Sequence, residues 1–182
     1  MQKILPYVEG SKTILDAGCG SGWLCEAFKQ ALSATVVSVD IRKGPLKSNK
    51  NNPVQMDIRH LGFTETFDMV IAKDIIEHLV DPASAMREFA SVLNPEGKIY
   101  IDCPPPGVPY FWDDYEHVRP YTKNSIAYLL DDTGFKIIYR RYLARPTLGA
   151  ALFRYKGVID AIADKTGFRK GSLIVVAKKK QA

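Results

Sequence analysis

Residues 13–24, TILDAGCGSGWL, decide how this chain is read. The apolar run Thr13-Ile14-Leu15 reads as a buried strand that Asp16 ends. Glycines at 18, 20 and 22 turn the chain, and Trp23-Leu24-Cys25-Glu26-Ala27-Phe28 starts a helix. Glycine permits a tight turn and lets backbone approach a ligand where a Cβ would collide. A second apolar run, Thr35-Val36-Val37-Ser38-Val39, is closed by Asp40. That sets an acceptor for a ribose diol beside the glycine turn, the arrangement a nucleoside ligand needs. The spacing also excludes alternatives. A dinucleotide fingerprint would place its third glycine at position 23, where Trp23 stands, and no Gly-Lys-Ser/Thr follows to make a phosphate-binding P-loop.

The pattern continues along the chain. Asp57 follows the short run Val54-Gln55-Met56, placed to accept from an adenine amino group, and Asp74 follows the apolar run Phe67–Ala72. Strand-end acids thus recur at 16, 40, 57 and 74, the carboxyl edge on which open α/β sheets bind ligands. Helices are expected from Gly22 to Leu32 and from Pro82, with Asp81 as N-cap. The stripe Ala85, Phe89, Val92-Leu93 has helical spacing, and Asn94-Pro95-Glu96-Gly97 stops it. Lys98–Cys103 reads as a fifth strand. Thr122 caps a helix bearing Ile126, Leu129 and Leu130 and ended by Gly134, and residues 135–143 and 173–178 read as two last strands. Strands alternating with helices predict a parallel sheet covered on both faces. Residues 144–172 exceed an ordinary hairpin loop, and Leu148, Ala151-Leu152, Tyr155, Val158-Ile159 and Ile162 recur at helical spacing. A helical insertion is expected there, packed on the sheet or over the mouth of the site.

At 182 residues with 46% hydrophobic side chains, one domain spanning residues 1–182 with a sizeable core is expected. No apolar run reaches the ~18 residues of a membrane span. Met1–Pro6 lacks the apolar core of a signal peptide. Cys19, Cys25 and Cys103 are odd in number and form no Cys-x-x-Cys pair, so a reduced cytoplasmic setting is expected. Residues 140–182 hold 11 of the 25 lysines and arginines but 2 of the 20 acids. This basic quarter suits a solvated face, a polyanion or an anionic membrane surface. With Arg140, Arg141, Arg145, Arg154 and Lys156 close by, the insertion is a candidate for peripheral contact with a membrane or a lipid phosphate.

Taken together, ILDAGCGSGWL (14–24), VVSVDI (36–41), QMDI (55–58), FDMVIAKDIIEHLVDP (67–82) and LNPEGKIYIDCP (93–104) resemble the class I S-adenosylmethionine-dependent methyltransferases in order and spacing, over roughly residues 10–140. The segment Glu116–Thr122, Glu-His-x-Arg-Pro-Tyr-Thr, is similar to that of small stand-alone members acting on small molecules, including sugar and glycan acceptors. The resemblance implies an α/β, doubly wound, mostly parallel seven-stranded Rossmann-like sheet with an antiparallel last strand, the insertion preceding it. It implies S-adenosyl-L-methionine as cofactor. Asp16, Gly18, Cys19 and Gly20 would take its methionine end, Asp40 with Ile41 the ribose, Asp57 with Ile58 the adenine, and Ala72 and Lys73 the amino-acid moiety through backbone.

An alcohol acceptor must lose its proton as the methyl arrives, and histidine is the usual group for that. Among His60, His78 and His117, the reading selects His117 as base or acceptor-orienting group, because its loop, Tyr110–His117, opens on the ligand edge. Arg119 and Tyr121 are supports or loop braces. Tyr110, Phe111, Trp112 and Tyr115 suit a sugar or planar acceptor, or a lid. His78 is read as structural, His60 as a surface turn. Asp113, Asp114, Glu116 and His117 are too close in sequence for convincing metal geometry, so no metal is expected. The partner expected is a small-molecule methyl acceptor, a sugar or lipid-linked glycan first, for O-methylation. Lys73-Asp74-Ile75-Ile76 lacks the Pro-Pro motif of amide and amino-group N-methyltransferases. The alternatives are RNA, through the basic C-terminal segment, and a non-catalytic cofactor-binding partner subunit.

Overall fold

A computed structural model describes residues 5–50, 52–64, 66–108, 110–144, 156–166 and 170–181. Seven strands, β1 (Thr13–Ala17), β2 (Thr35–Asp40), β3 (Val54–Gln55), β4 (Phe67–Lys73), β5 (Leu93–Cys103), β6 (Phe135–Ala144) and β7 (Lys170–Lys179), form one sheet in the order β3-β2-β1-β4-β5-β7-β6. The first five are parallel, and β7 runs antiparallel to β5 and β6 on either side of it. The helices are α1 (Leu5–Val8), α2 (Trp23–Ala31), α3 (Lys43–Leu46), α4 (Pro82–Val92), α5 (Lys123–Asp132) and α6 (Lys156–Thr166). This is the doubly wound sheet with an antiparallel last strand that the resemblance implied.

Strand alternation sorts the core into two layers, as expected where both faces of a sheet are covered. Leu15, Ala17, Val70, Ala72, Ile99 and Ile101 point to one face and pack with Met86 and Phe89 of α4 and Ile126 and Leu130 of α5. Ile14, Val36, Met69, Ile71 and Tyr100 point to the other, against Leu24, Cys25 and Phe28 of α2 and Val8 of α1. A run such as Met69-Val70-Ile71-Ala72 is apolar throughout because each neighbour feeds a different layer.

Helix ends follow local chemistry. Asp81 Oδ1 accepts the Ser84 N–H (3.1 Å) and Pro82 fills the first turn of α4. Thr122 and Ser125 form a reciprocal capping box on α5. Thr122→Ala is expected to cost about 1 kcal/mol and to lower Tm by about 2–4 °C, checked by thermal unfolding. The stop expected at Asn94–Gly97 takes a different form. α4 ends at Val92, Leu93 already pairs with Phe67, and pairing resumes at Lys98 with Met69, so Asn94–Gly97 bulges out within β5.

The insertion yields α6, which packs on the sheet's edge strand β6. Asp164 Oδ1 accepts the Tyr142 N–H (2.7 Å) and Asp160 Oδ1 the Ala144 N–H (2.8 Å). Two carboxylates therefore satisfy backbone donors that an open edge would leave to solvent or to another strand. Of the expected apolar stripe, Ile159 is half-buried, while Val158 and Ile162 are exposed. Leu148, Ala151, Leu152, Tyr155, Arg145 and Arg154 lie outside the described residues. No helix among the described residues is long and apolar enough to cross a membrane.

Candidate functional site

The chain reverses its winding between β1 and β4, and at the carboxyl ends of the strands a cleft of about 210 Å³ is lined by Gly18, Asp40, Ile41, Asp57, Ile58, His78 and Leu79, among others. Five residues expected to bind cofactor are thus brought together on it. Asp16, Cys19, Gly20, Ala72 and Lys73 stand at the neighbouring strand ends without lining it.

The glycine turn is built by backbone. Gly18, Gly20 and Gly22 have φ of +76°, +52° and +81°, values that side chains on an L-residue resist. The N–H groups of Gly18 and Cys19 both donate to Val39 O at 2.9 Å. Gly20 N–H donates to Asp40 Oδ2 (2.9 Å) and Arg42 N–H to Asp40 Oδ1 (2.8 Å). Asp40 therefore fixes the turn, and each oxygen keeps a lone pair.

Asp16 is buried, and its Oδ2 has no hydrogen-bond partner among the described residues. Burial, with Asp40 nearby, pushes its carboxyl up to about 7. The Cys19 thiol is pushed up to about 12, by burial first and then by Asp16. Asp57 behaves differently. Its carboxylate accepts the Arg59 N–H (2.9 Å) and the Arg59 guanidinium (2.6 Å to Nη2), which hold it below the usual carboxylate range. Ala72 is fully buried, and the Lys73 ammonium bonds Asp74. Burial opposes the charge on Lys73, but Asp74, Asp102 and Glu77 together keep its pKa above the ordinary value.

Across the cleft, the loop after β5 docks on the segment after β4. Val118 and Arg119 donate their N–H groups to Glu77 O (2.8 and 3.3 Å), Arg119 Nη2 to Val80 O (2.9 Å) and the Tyr121 hydroxyl to Ile76 O (3.4 Å). Arg119 and Tyr121 are braces. Arg42, beyond β2, pairs with Glu116 at 3.0 Å and spans the mouth, an exposed pair of small energetic weight. Phe111 is buried, with its ring 4.6 Å from that of His117 and 4.7 Å from Trp112, and so is withdrawn from any acceptor; Tyr110, Trp112 and Tyr115 remain exposed.

His117 Nδ1 lies 2.6 Å from Phe111 O. A carbonyl only accepts, so Nδ1 carries the hydrogen and Nε2 of the neutral ring keeps its lone pair. The His78 ring, which lines the cleft, stacks edge-on to His117 with centroids 4.6 Å apart. Burial, then the proximity of His117, lowers the His78 pKa. The adjacent Glu77 is 1% exposed, neither carboxylate oxygen has a partner among the described residues, and burial pushes its carboxyl up to about 8. The sequence reading passed over Glu77 and took His78 as structural. The available signal was the Glu-His pair standing just beyond a ligand-edge strand.

A doubly wound sheet with a glycine turn and an acid closing β2 is the arrangement that suits a nucleoside ligand. The methyltransferase-domain family model matches residues 15–101. The ubiquinone biosynthesis O-methyltransferase of Pseudomonas paraeruginosa is 32% identical over 101 residues, 50% of this chain and 43% of that protein. The chain thus spans under half the length of that relative. A SAM-dependent methyltransferase from Archaeoglobus fulgidus has the same fold, with a TM-score of 0.76 over 98% of this chain and 90% of its own at 22% identity. So does the 1,6-didemethyltoxoflavin-N1-methyltransferase of Burkholderia thailandensis, solved with S-adenosylhomocysteine: TM-score 0.72, 16% identity, 99% of this chain and 76% of that one. Residues 15–101 thus match a methyltransferase domain, and the fold of nearly the whole chain is that of S-adenosylmethionine-dependent methyltransferases, whose cofactor is S-adenosyl-L-methionine.

Proposed function

We propose that this chain transfers a methyl group from S-adenosyl-L-methionine to the oxygen of a small-molecule acceptor, with sugar or glycan-related hydroxyls the first class to try. The observation that carries the reading is the orphaned, buried Asp16 carboxyl behind a turn locked by Asp40. A cationic ligand gives Asp16 the partner it lacks, and the free lone pairs of Asp40 suit a ribose diol. Gly18, Cys19 and Gly20 shape the methionine end, Ile41 and Ile58 flank the nucleoside, and Ala72 and Lys73 offer backbone to the amino-acid moiety. Asp57 reaches the adenine amino group once the exposed Arg59 side chain releases an oxygen.

The bound sulfonium supplies an activated methyl: its C–S bond breaks with the electron pair kept on sulfur as the acceptor oxygen forms the new C–O bond. The chain's contribution is position and proton handling. His117, held in one tautomer by Phe111, presents an Nε2 lone pair to take or orient the acceptor's hydroxyl proton, and His78 lies between it and the cofactor cleft. The exposed Tyr110, Trp112 and Tyr115 offer ring faces to a sugar or planar acceptor.

The charge distribution favours a small acceptor over RNA. Lys178, Lys179 and Lys180 sit at the sheet edge opposite the cleft, engaged by Glu96, Leu93 O and Asp131. A cytoplasmic setting fits the three free, buried cysteines.

The test is calorimetric titration of S-adenosylmethionine, with NAD as control, followed by turnover on an acceptor panel. Micromolar binding of S-adenosylmethionine without binding of NAD, together with turnover, supports the reading; turnover also removes the non-catalytic alternative. The pH dependence has a definite sign. Asp16 is neutral below about 7 in the free protein, whereas a cationic ligand favours its ionised form. Binding therefore releases a proton, and affinity should fall as pH drops from 7.5 to 5.5, approaching about tenfold per unit. Asp16→Asn should flatten the profile. Constant wild-type affinity across that range overturns the Asp16 role.

A further inference from the structure

The cofactor assignment leaves one cluster unused. Glu77, His78 and His117 each bring one ligand atom to within 4.8 Å of the other two, and His78, Asp114 and Glu116 form an overlapping group by the same measure. Buried carboxyl oxygens are normally hydrogen-bonded, so a pair without partners calls for an explanation. Glu77 is nonetheless carboxylate-bearing, 1% exposed, unpartnered at both oxygens among the described residues, and close to the two imidazoles. Lys73 is near enough to favour its charge, but the Lys73 ammonium is bonded to Asp74. A cation among these groups is the partner the arrangement lacks.

His117 adds an independent sign. Its Nδ1–H donates to Phe111 O and leaves the Nε2 lone pair unused, 3.9 Å from Asp114 Oδ2, which is how metal-binding histidines are oriented by an outer hydrogen bond. Two imidazoles and a carboxylate suit a first-row divalent ion. Such an ion sits about 2.0–2.2 Å from each donor, which places the donors about 3–4 Å apart. The donors lie within 4.8 Å of one another, so they must draw together to hold the ion. We propose that Glu77, His78 and His117 bind one divalent transition-metal ion at the acceptor end of the cleft, with Asp114 and Glu116 on its outer side. On the methyl-transfer reading above, that ion holds the acceptor oxygen and lowers its pKa, and His117 acts as a ligand instead of a proton acceptor.

The test uses the full chain after chelator treatment and dialysis, without S-adenosylmethionine, so its outcome is separate from that of the methyl-transfer reading. Zinc chloride is titrated calorimetrically, and cobalt chloride is added while visible absorption is followed. One equivalent of zinc should bind, with affinity reduced at least tenfold in Glu77→Gln and in His117→Asn and unchanged in His60→Ala. The cobalt band should be lost in the first two variants. Glu77→Gln keeps the size and shape of the side chain, so its metal-free Tm should stay near that of the wild type while the zinc-induced rise in Tm disappears. That pairing separates a lost ligand from a lost fold. Zinc that does not bind in a 1:1 ratio, binds equally to all variants, or binds no more tightly than magnesium overturns the proposal.

Discussion

Asp40→Ala is expected to weaken S-adenosylmethionine binding by about 10- to 100-fold. The carboxylate accepts from the N–H groups of Gly20 and Arg42, one on each oxygen, and the proposed ribose hydroxyls would share those oxygens. Hydrogen bonds to a charged group are worth roughly 1.5–3 kcal/mol, and 1.4 kcal/mol is about a factor of ten in affinity. The Gly20 and Arg42 N–H groups lose their acceptor, so a fall in Tm should accompany the loss of binding. Asp40→Asn keeps one acceptor oxygen and should lose less. A second readout follows from the neighbour. Asp40 helps to raise the Asp16 pKa, so removing its charge should move the midpoint of the pH profile downward. Calorimetry at several pH values measures both. Affinity within twofold of wild type would remove Asp40 from the binding reading.

The parts legible in the sequence are those fixed by short-range chemistry. Three glycines needing positive φ, an N-cap aspartate before proline and fully apolar strand runs each specify local geometry, and the structure keeps them. Periodicity could not show that Asn94–Gly97 would bulge inside a strand, because Leu93 pairs with Phe67 only through tertiary register. Nor could it show that Val158 and Ile162 would face outward, since α6 is fastened to β6 as much by Asp160 and Asp164 as by apolar contact.

The site divides along the same line. Asp40 was legible as an acid that ends a strand beside the glycine turn, and it stands there, accepting the Gly20 N–H from the turn itself. The capture of Asp57 by Arg59 was not, since a residue two positions on can equally point to solvent. His78 and His117 are 39 positions apart and meet only because the loop after β5 folds back onto the Glu77 carbonyl. Judged singly, His78 reads as structural. Its meaning comes from the unpartnered Glu77 beside it and the oriented ring opposite, and neither has a spacing signature.

Gly18→Ala should produce the second large effect, and the glycines beside it make the cause separable. All three turn glycines have positive φ, so an alanine at any of them carries roughly 1–2 kcal/mol of backbone strain. At Gly20 a Cβ meets nothing within 4 Å, and strain is the whole cost. At Gly18 the Cβ would lie 2.7 Å from Ile75 Cδ1 and 2.8 Å from Cγ1, inside contact distance. Gly18 and Ile75 both line the cofactor cleft, so relief requires Ile75 to move within the space the nucleoside needs. Gly20→Ala is therefore expected to lower Tm with a modest effect on affinity, whereas Gly18→Ala, with the clash added to the strain, should lower Tm further and reduce S-adenosylmethionine affinity by more than about tenfold. Adding Ile75→Ala removes both clashing carbons, so the double variant should recover affinity relative to Gly18→Ala while keeping its strain, a non-additivity expected of residues in contact. If Gly18→Ala and Gly20→Ala bind alike, the approach of Gly18 to Ile75 does not shape the cofactor site, and the turn contributes through its backbone conformation alone.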